Sequence, residues 1–175
     1  MLKPQDVVIL LKLLMTGGRQ GTFLDLSKSL FISVAEVHKG VKRLVASRLV
    51  DNEGRPLKKA AEEYLIHGVK YSFPAARGAV TRGLPTGFGA SPLKELISQE
   101  GILSPVWPDP AGSVRGYELK PIYSNAVKVS REDPAMYELL VLIDAVRDGS
   151  ARERLLAEKA LDERINGKVA TAPNA

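Results

Sequence analysis

Apolar residues recur along the first third of this chain with the spacing of helices. Val7 to Met15 reads VVILLKLLM, broken only by Lys12, with Pro4 ahead of it and Gly17-Gly18 behind it, which predicts a helix over about 4–15. Phe23, Leu26 and Leu30 share one side of a second helix over about 22–30. Phe31-Ile32 makes a turn, and Ser33 with Glu36 three residues on reads as a capping box opening a third helix to about Ser47. Val37, Val41, Leu44 and Val45 form its inward stripe. Leu49-Val50 reads as a short strand, 52–54 as a turn, and Leu57 to His67 as a helix stopped by Gly68, with Ala60, Ala61, Tyr64 and Leu65 on one face.

The pattern changes at Phe73. From Pro74 to Pro92 glycine and proline dominate and no period survives, which predicts a long irregular loop. A short helix over about 92–99 and two short strands, 106–108 and 117–122, are expected around the 109–112 turn. Periodicity returns at the end. Pro134 to Arg147 and Ala151 to Ile165 form two helices joined at Asp148-Gly149-Ser150, with Ser150 and Glu153 as a second capping box, and so short a joint implies a helical hairpin. The resulting division is 1–72, 73–130, 131–165 and a disordered tail at 166–175, with no internal repeat.

The segment TFLDLSKSLFISVAEVHKGVKRLVASRLV (Thr22 to Val50) resembles the winged helix-turn-helix of MarR-type bacterial regulators. The resemblance is carried by Leu26, Leu30, Ile32, Ser33, Val37, Val41, Leu44, Leu49 and Val50 and covers about residues 5–70. It departs from the family at Phe31, where glycine is common, and in a wing with little room between Val50 and Pro56. It implies a mainly α fold, a winged helix-turn-helix followed by the irregular segment and the terminal hairpin. It also implies a sequence-specific DNA-binding transcriptional regulator, dimeric and reading a near-palindrome in double-stranded DNA.

Within that reading, Ser33, Ala35 and His38 lie nearest the base edges, and Lys39 and Lys42, three apart on one side, take phosphates. Arg43 either joins them or pairs locally. Lys28 and Arg55, with Lys58 and Lys59, extend the basic surface. Gly40, unusual inside a helix, permits close approach of DNA or of another helix.

Composition narrows the picture. The chain has 175 residues, a formal net charge of +5, 45% hydrophobic and 6% aromatic residues, so it can bury a mostly aliphatic core and favours a polyanionic partner. With no cysteine, thiol catalysis, disulfides and zinc–thiolate sites are excluded. The two histidines, His38 and His67, have no metal-ligand spacing, and neither a nucleotide-binding motif nor a nucleophile elbow is present. No enzymatic activity, cofactor or metal is expected. The Val7–Met15 run is too short for a bilayer and no cleavage site follows it, so a cytoplasmic protein without membrane attachment is expected.

A second function stands beside the first. The stretches VWPDPAGSVRGYELKPIY and REDPAMYELLVLIDAVRDGSARER resemble the tails of small helix-turn-helix proteins of toxin–antitoxin type. That resemblance implies an antitoxin-like or adaptor protein holding a toxin-like partner. Arg77 and Arg82 in the Gly/Pro-rich loop, which equally suit an extension of the DNA contact, and Tyr137, Leu140 and Val141 on the penultimate helix are the expected contacts, and the same hairpin is a candidate homodimer surface.

Overall fold

The computed structural model describes residues 1–167. Its helices are α1 (Pro4–Thr16), α2 (Phe23–Leu30), α3 (Val34–Ala46), α4 (Lys58–Glu63), α5 (Val69–Ser72), α6 (Ala126–Glu132), α7 (Pro134–Asp148) and α8 (Ala151–Ile165), and its strands are β1 (Arg77–Pro85), β2 (Pro105–Pro108) and β3 (Val114–Leu119). The fold is α+β, and the expected mainly α arrangement of winged helix, irregular linker and hairpin is overturned on two counts.

First, the region read as a loop holds a strand, β1, which joins the two short strands expected at 106–108 and 117–122, present as β2 and as an earlier-starting β3, in one sheet. β1 runs antiparallel to β2 (Leu84 opposite Trp107) and to β3 (Thr81 opposite Gly116), while β2 and β3 pair in parallel (Val106 opposite Glu118). Each strand therefore pairs with both others and the sheet closes on itself. So small a closure leaves no room for side chains where the backbones cross. A Cβ at Gly83 would stand 1.9 Å from the Trp107 carbonyl oxygen, and one at Gly116 2.0 Å from that of Ser104. The glycines are there for close approach, as strand glycines often are.

Second, the wing is absent. It is reduced to one bridge, Val50 to Pro56, closed by a turn in which Asp51 accepts from the amides of Glu53 and Arg55. Pro56 brings no donor to a ladder and Leu57 already caps α4, so a hairpin has no length to grow.

The terminal helices do not stand apart either. α7 is buried nearly all round, from Leu139 to Val146, and packs on α1, α5, α6 and α8. α1 is its apolar counterpart, with Val7 to Leu11 and Leu13 buried. Asp144 ties the sheet to this helical layer. Fully buried, it accepts from Thr86 Oγ1 (2.7 Å), Trp107 Nε1 (2.6 Å) and Arg147 Nη1 (2.8 Å), and burial pushes its carboxyl up against the opposing pull of those donors.

Smaller departures have local causes. The helix beginning at Lys58 does not stop at Gly68 but passes through a π-turn (Tyr64–Gly68) to Ser72, because Gly68 leaves space for the Tyr64 ring, whose Cδ2 would lie 2.7 Å from a Cβ there. The helix expected over 92–99 is a single 3-10 turn, Leu93–Glu95. α6 was not foreseen: its N-cap Asn125 is of a type that often starts helices, but its side chain is turned to the Phe31 carbonyl and makes no cap here. Of the expected tail, Asn166 caps α8 and 168–175 lie outside the described residues.

The start of α7 supplies a pH-dependent contact. Asp133 caps the Met136 amide (3.1 Å) and accepts from Lys12 of α1 (2.8 Å). Burial raises its pKa, but the Lys12 and amide hydrogen bonds prevail and hold it below the ordinary aspartate value. A carboxylate lowered in this way stabilises the fold above its unfolded pKa, and loses that contribution as pH falls through the folded value. Asp133→Ala should cost about 1–2 kcal/mol at neutral pH. The gap to wild type should narrow below about pH 4 in urea melts at stepped pH. A gap constant with pH would refute the charge contribution.

Candidate nucleic-acid interface

The basic segment sits on α2, a tight turn and α3. α2 opens with Thr22 accepting from the Asp25 amide, while Asp25 returns a bond to the Thr22 amide (2.8 Å), which holds the Asp25 carboxyl low. Phe31 ends α2 in the left-handed region, φ 54°, a costly conformation for a bulky residue. Its strain is offset by contacts from far along the chain. Asn125 Nδ2 donates to the Phe31 carbonyl (2.9 Å), Tyr123 Oη donates to that of Leu30 (3.2 Å), and the Lys128 ammonium lies 4.8 Å from the Phe31 ring centroid. Sequence reasoning missed these braces, since nothing in the local pattern ties residues more than ninety positions apart.

Ser33 accepts from the Glu36 amide at 3.3 Å as expected, but the box is only half formed. The Glu36 carboxylate turns instead to Gln5 Nε2 (2.7 Å), Lys39 (3.4 Å) and Lys3 (3.8 Å), and the Gln5 hydrogen bond leads in lowering its pKa. Ser33 and Glu36 also border a cleft of 560 Å³ whose far wall is the segment from Lys120 to Asn125. The amino end of α3 is therefore flanked by the chain's own backbone, not free on all sides.

The rest of α3 divides cleanly. Val37, Gly40, Val41 and Leu44 are buried, and Ala35, His38, Lys39 and Lys42 are exposed. Gly40 serves helix packing, because a Cβ there would fall 2.5 Å from Ile9 Cδ1 of α1. His38 meets the Phe23 ring edge-to-face at 5.1 Å, and the Arg19 guanidinium lies 4.5 Å from the same ring.

Two expected DNA contacts are engaged elsewhere. Arg43 pairs locally: Nε and Nη2 grip the fully buried Asp6 carboxylate at 2.7 and 2.8 Å, and that hydrogen bonding raises the guanidinium's already high pKa. Arg55 is held by Asp51 and Glu53 at the bridge turn. Lys28 and Lys42 remain exposed and without an ion pair among the described residues, and Lys39 shares only the long contact to Glu36.

The residues expected to meet a protein partner are mostly internal. Leu140 and Val141 lie in the core at 1% and 0% exposure. Tyr137 is half-buried, donates to the Pro85 carbonyl at 2.6 Å, and burial pushes its hydroxyl up to about 12. The sequence could not show this, because α7 is covered not only by its chain neighbours α6 and α8 but also by α1 and α5, which are distant in the chain. Arg77 is exposed but pairs with Asp148 (2.7 Å) over the Tyr117 ring. Arg82 alone of that set projects freely from β1.

Among the described residues no group of His, Asp or Glu is placed to hold a metal ion, and no helix is long and apolar enough to cross a membrane. Compared with protein-family models, curated proteins and solved structures, the chain matches none.

Proposed function

We propose that this protein binds double-stranded DNA through the exposed face of α3 and acts as a transcriptional regulator. The supporting observation is that α3 is capped at Ser33, seated on α1 by Gly40, and presents Ala35, His38, Lys39 and Lys42 together on its exposed side, where the described residues add only the Phe23 ring edge against His38. A helix supported this way offers its face without paying to order it on binding. Lys39 and Lys42 take phosphates, with Lys28 on the neighbouring helix as a third cation, while Ala35 and His38 face the bases. A basic helix face attracts any duplex before it selects one, so affinity is carried first by the phosphates.

The test is binding of a labelled duplex of about 20 base pairs, followed by fluorescence anisotropy for wild type and Lys39→Ala/Lys42→Ala. Loss of two phosphate contacts should weaken binding about tenfold near 100 mM salt, alike across unrelated sequences. Equal affinity of variant and wild type would remove α3 as the contact.

A further inference from the structure

We propose that the β1–β3 ribbon carries a second phosphate-binding element, the cross-strand pair Arg82 and Arg115, which takes the sugar–phosphate backbone of the bound nucleic acid. The inference rests on the DNA-binding reading and adds to it a surface outside the helices.

Arg82 and Arg115 face each other directly in the antiparallel register, and both are exposed. Like charges directly opposite on a sheet repel. Here no carboxylate of the described residues pairs with either. Asp109 accepts from Arg131 and from the Ala111 amide, and Asp148 accepts from Arg77 and Tyr117. Glu118 falls on the opposite face of β3, its carboxylate oxygen 2.5 Å from where a Gly78 Cβ would stand. Arg82 and Arg115 appear in no ion pair among the described residues, and the Asp109 carboxylate is neutralised by Arg131.

The two guanidinia rise from a rigid base. β1 is paired with β3 and, from Gly83, with β2, and the Arg82 carbonyl accepts from the Asp109 amide at 3.1 Å. Two planar forks on neighbouring fixed strands suit adjacent phosphate oxygens, which guanidinium groups grip bidentately. An anion seated between them would turn the repulsion into attraction. That arrangement has a distinct signature: a pair kept for a ligand is dispensable for the fold, so removing it should not lower the melting temperature.

The experiment compares the full chain with Arg82→Ala/Arg115→Ala, Lys39→Ala/Lys42→Ala and the fourfold variant, on a labelled duplex of about 20 base pairs from about 50 to 200 mM KCl. With one phosphate held by each arginine, the arginine variant should flatten the plot of log K against log salt by about 1.8, with an unchanged or slightly higher melting temperature. An unchanged slope in that variant, while the lysine variant flattens it, overturns the ribbon and leaves α3 standing. The reverse pattern upholds the ribbon and overturns α3. No binding by wild type at the lowest salt overturns both. Tighter binding of poly-L-glutamate than of the duplex at equal charge, lost in the arginine variant, would mean that the pair recognises acidic protein, and would overturn the nucleic-acid assignment.

Discussion

Replacing Arg43 with alanine should cost about 3–5 kcal/mol of stability, because it strands a buried charge. Asp6 has no exposure to water, and its carboxylate is satisfied by the Arg43 fork and by the Lys3 amide at 2.8 Å. Neither Ile9 nor any other neighbour in the apolar α1–α3 seam can replace the guanidinium. Domains of this size are stable by about 5–15 kcal/mol, so the loss is a large share of the total. Urea denaturation reads it directly as a fall in midpoint. Arg43→Lys should recover only part of the loss, since an ammonium cannot reproduce the two-pronged grip. Asp6→Leu with Arg43→Met, which removes both charges, should recover more. A wild-type midpoint for Arg43→Ala would show that the pair does not hold α3 on α1, and would return Arg43 to the list of available cations.

Gly83→Ala should be comparably damaging for a different reason. The new methyl would stand 1.9 Å from the Trp107 oxygen and 2.7 Å from its carbonyl carbon, both backbone atoms in the paired strand. Neither can swing aside, so β1 and β2 must part, and with them the bond from buried Trp107 to Asp144. A loss of about 3 kcal/mol or more is expected, at the upper end for overpacking. Gly78→Ala is the control. Its methyl meets first the end of the flexible Glu118 side chain, and thermal melts should show it far milder. Equal melting temperatures for Gly83→Ala and wild type would contradict the three-strand closure.

These two residues also show what could be read in advance. α1, α2, α3, α7 and α8 were legible because their apolar spacing and the Ser33 and Ser150 caps are local signals. β1 was not. Strand alternation fails where Gly78, Gly83 and Pro85 interrupt it, and at Gly83 backbone contact stands in place of a side chain, so a strand was read as a loop. The exposed face of α3 followed from its period, but the fate of its cations did not. Arg43 and Lys42 are adjacent in sequence, and only the fold reveals that one meets Asp6 and the other meets solvent. The same holds for Leu140 and Val141, apolar positions that suit a partner surface until α1, α5, α6 and α8 close over them. Arg115 drew no attention because its meaning lies in the strand opposite.

In the proposed function a folded helix face, and not basicity in general, holds DNA. The most direct measurement is the salt dependence of duplex binding for wild type beside Lys39→Ala/Lys42→Ala, with folding checked by melting temperature. The expected result is a linear fall of log K with log salt for wild type, and a slope shallower by about 1.8 for a variant that melts where wild type does. Superimposable slopes, or no retention of duplex at about 50 mM KCl, would contradict it.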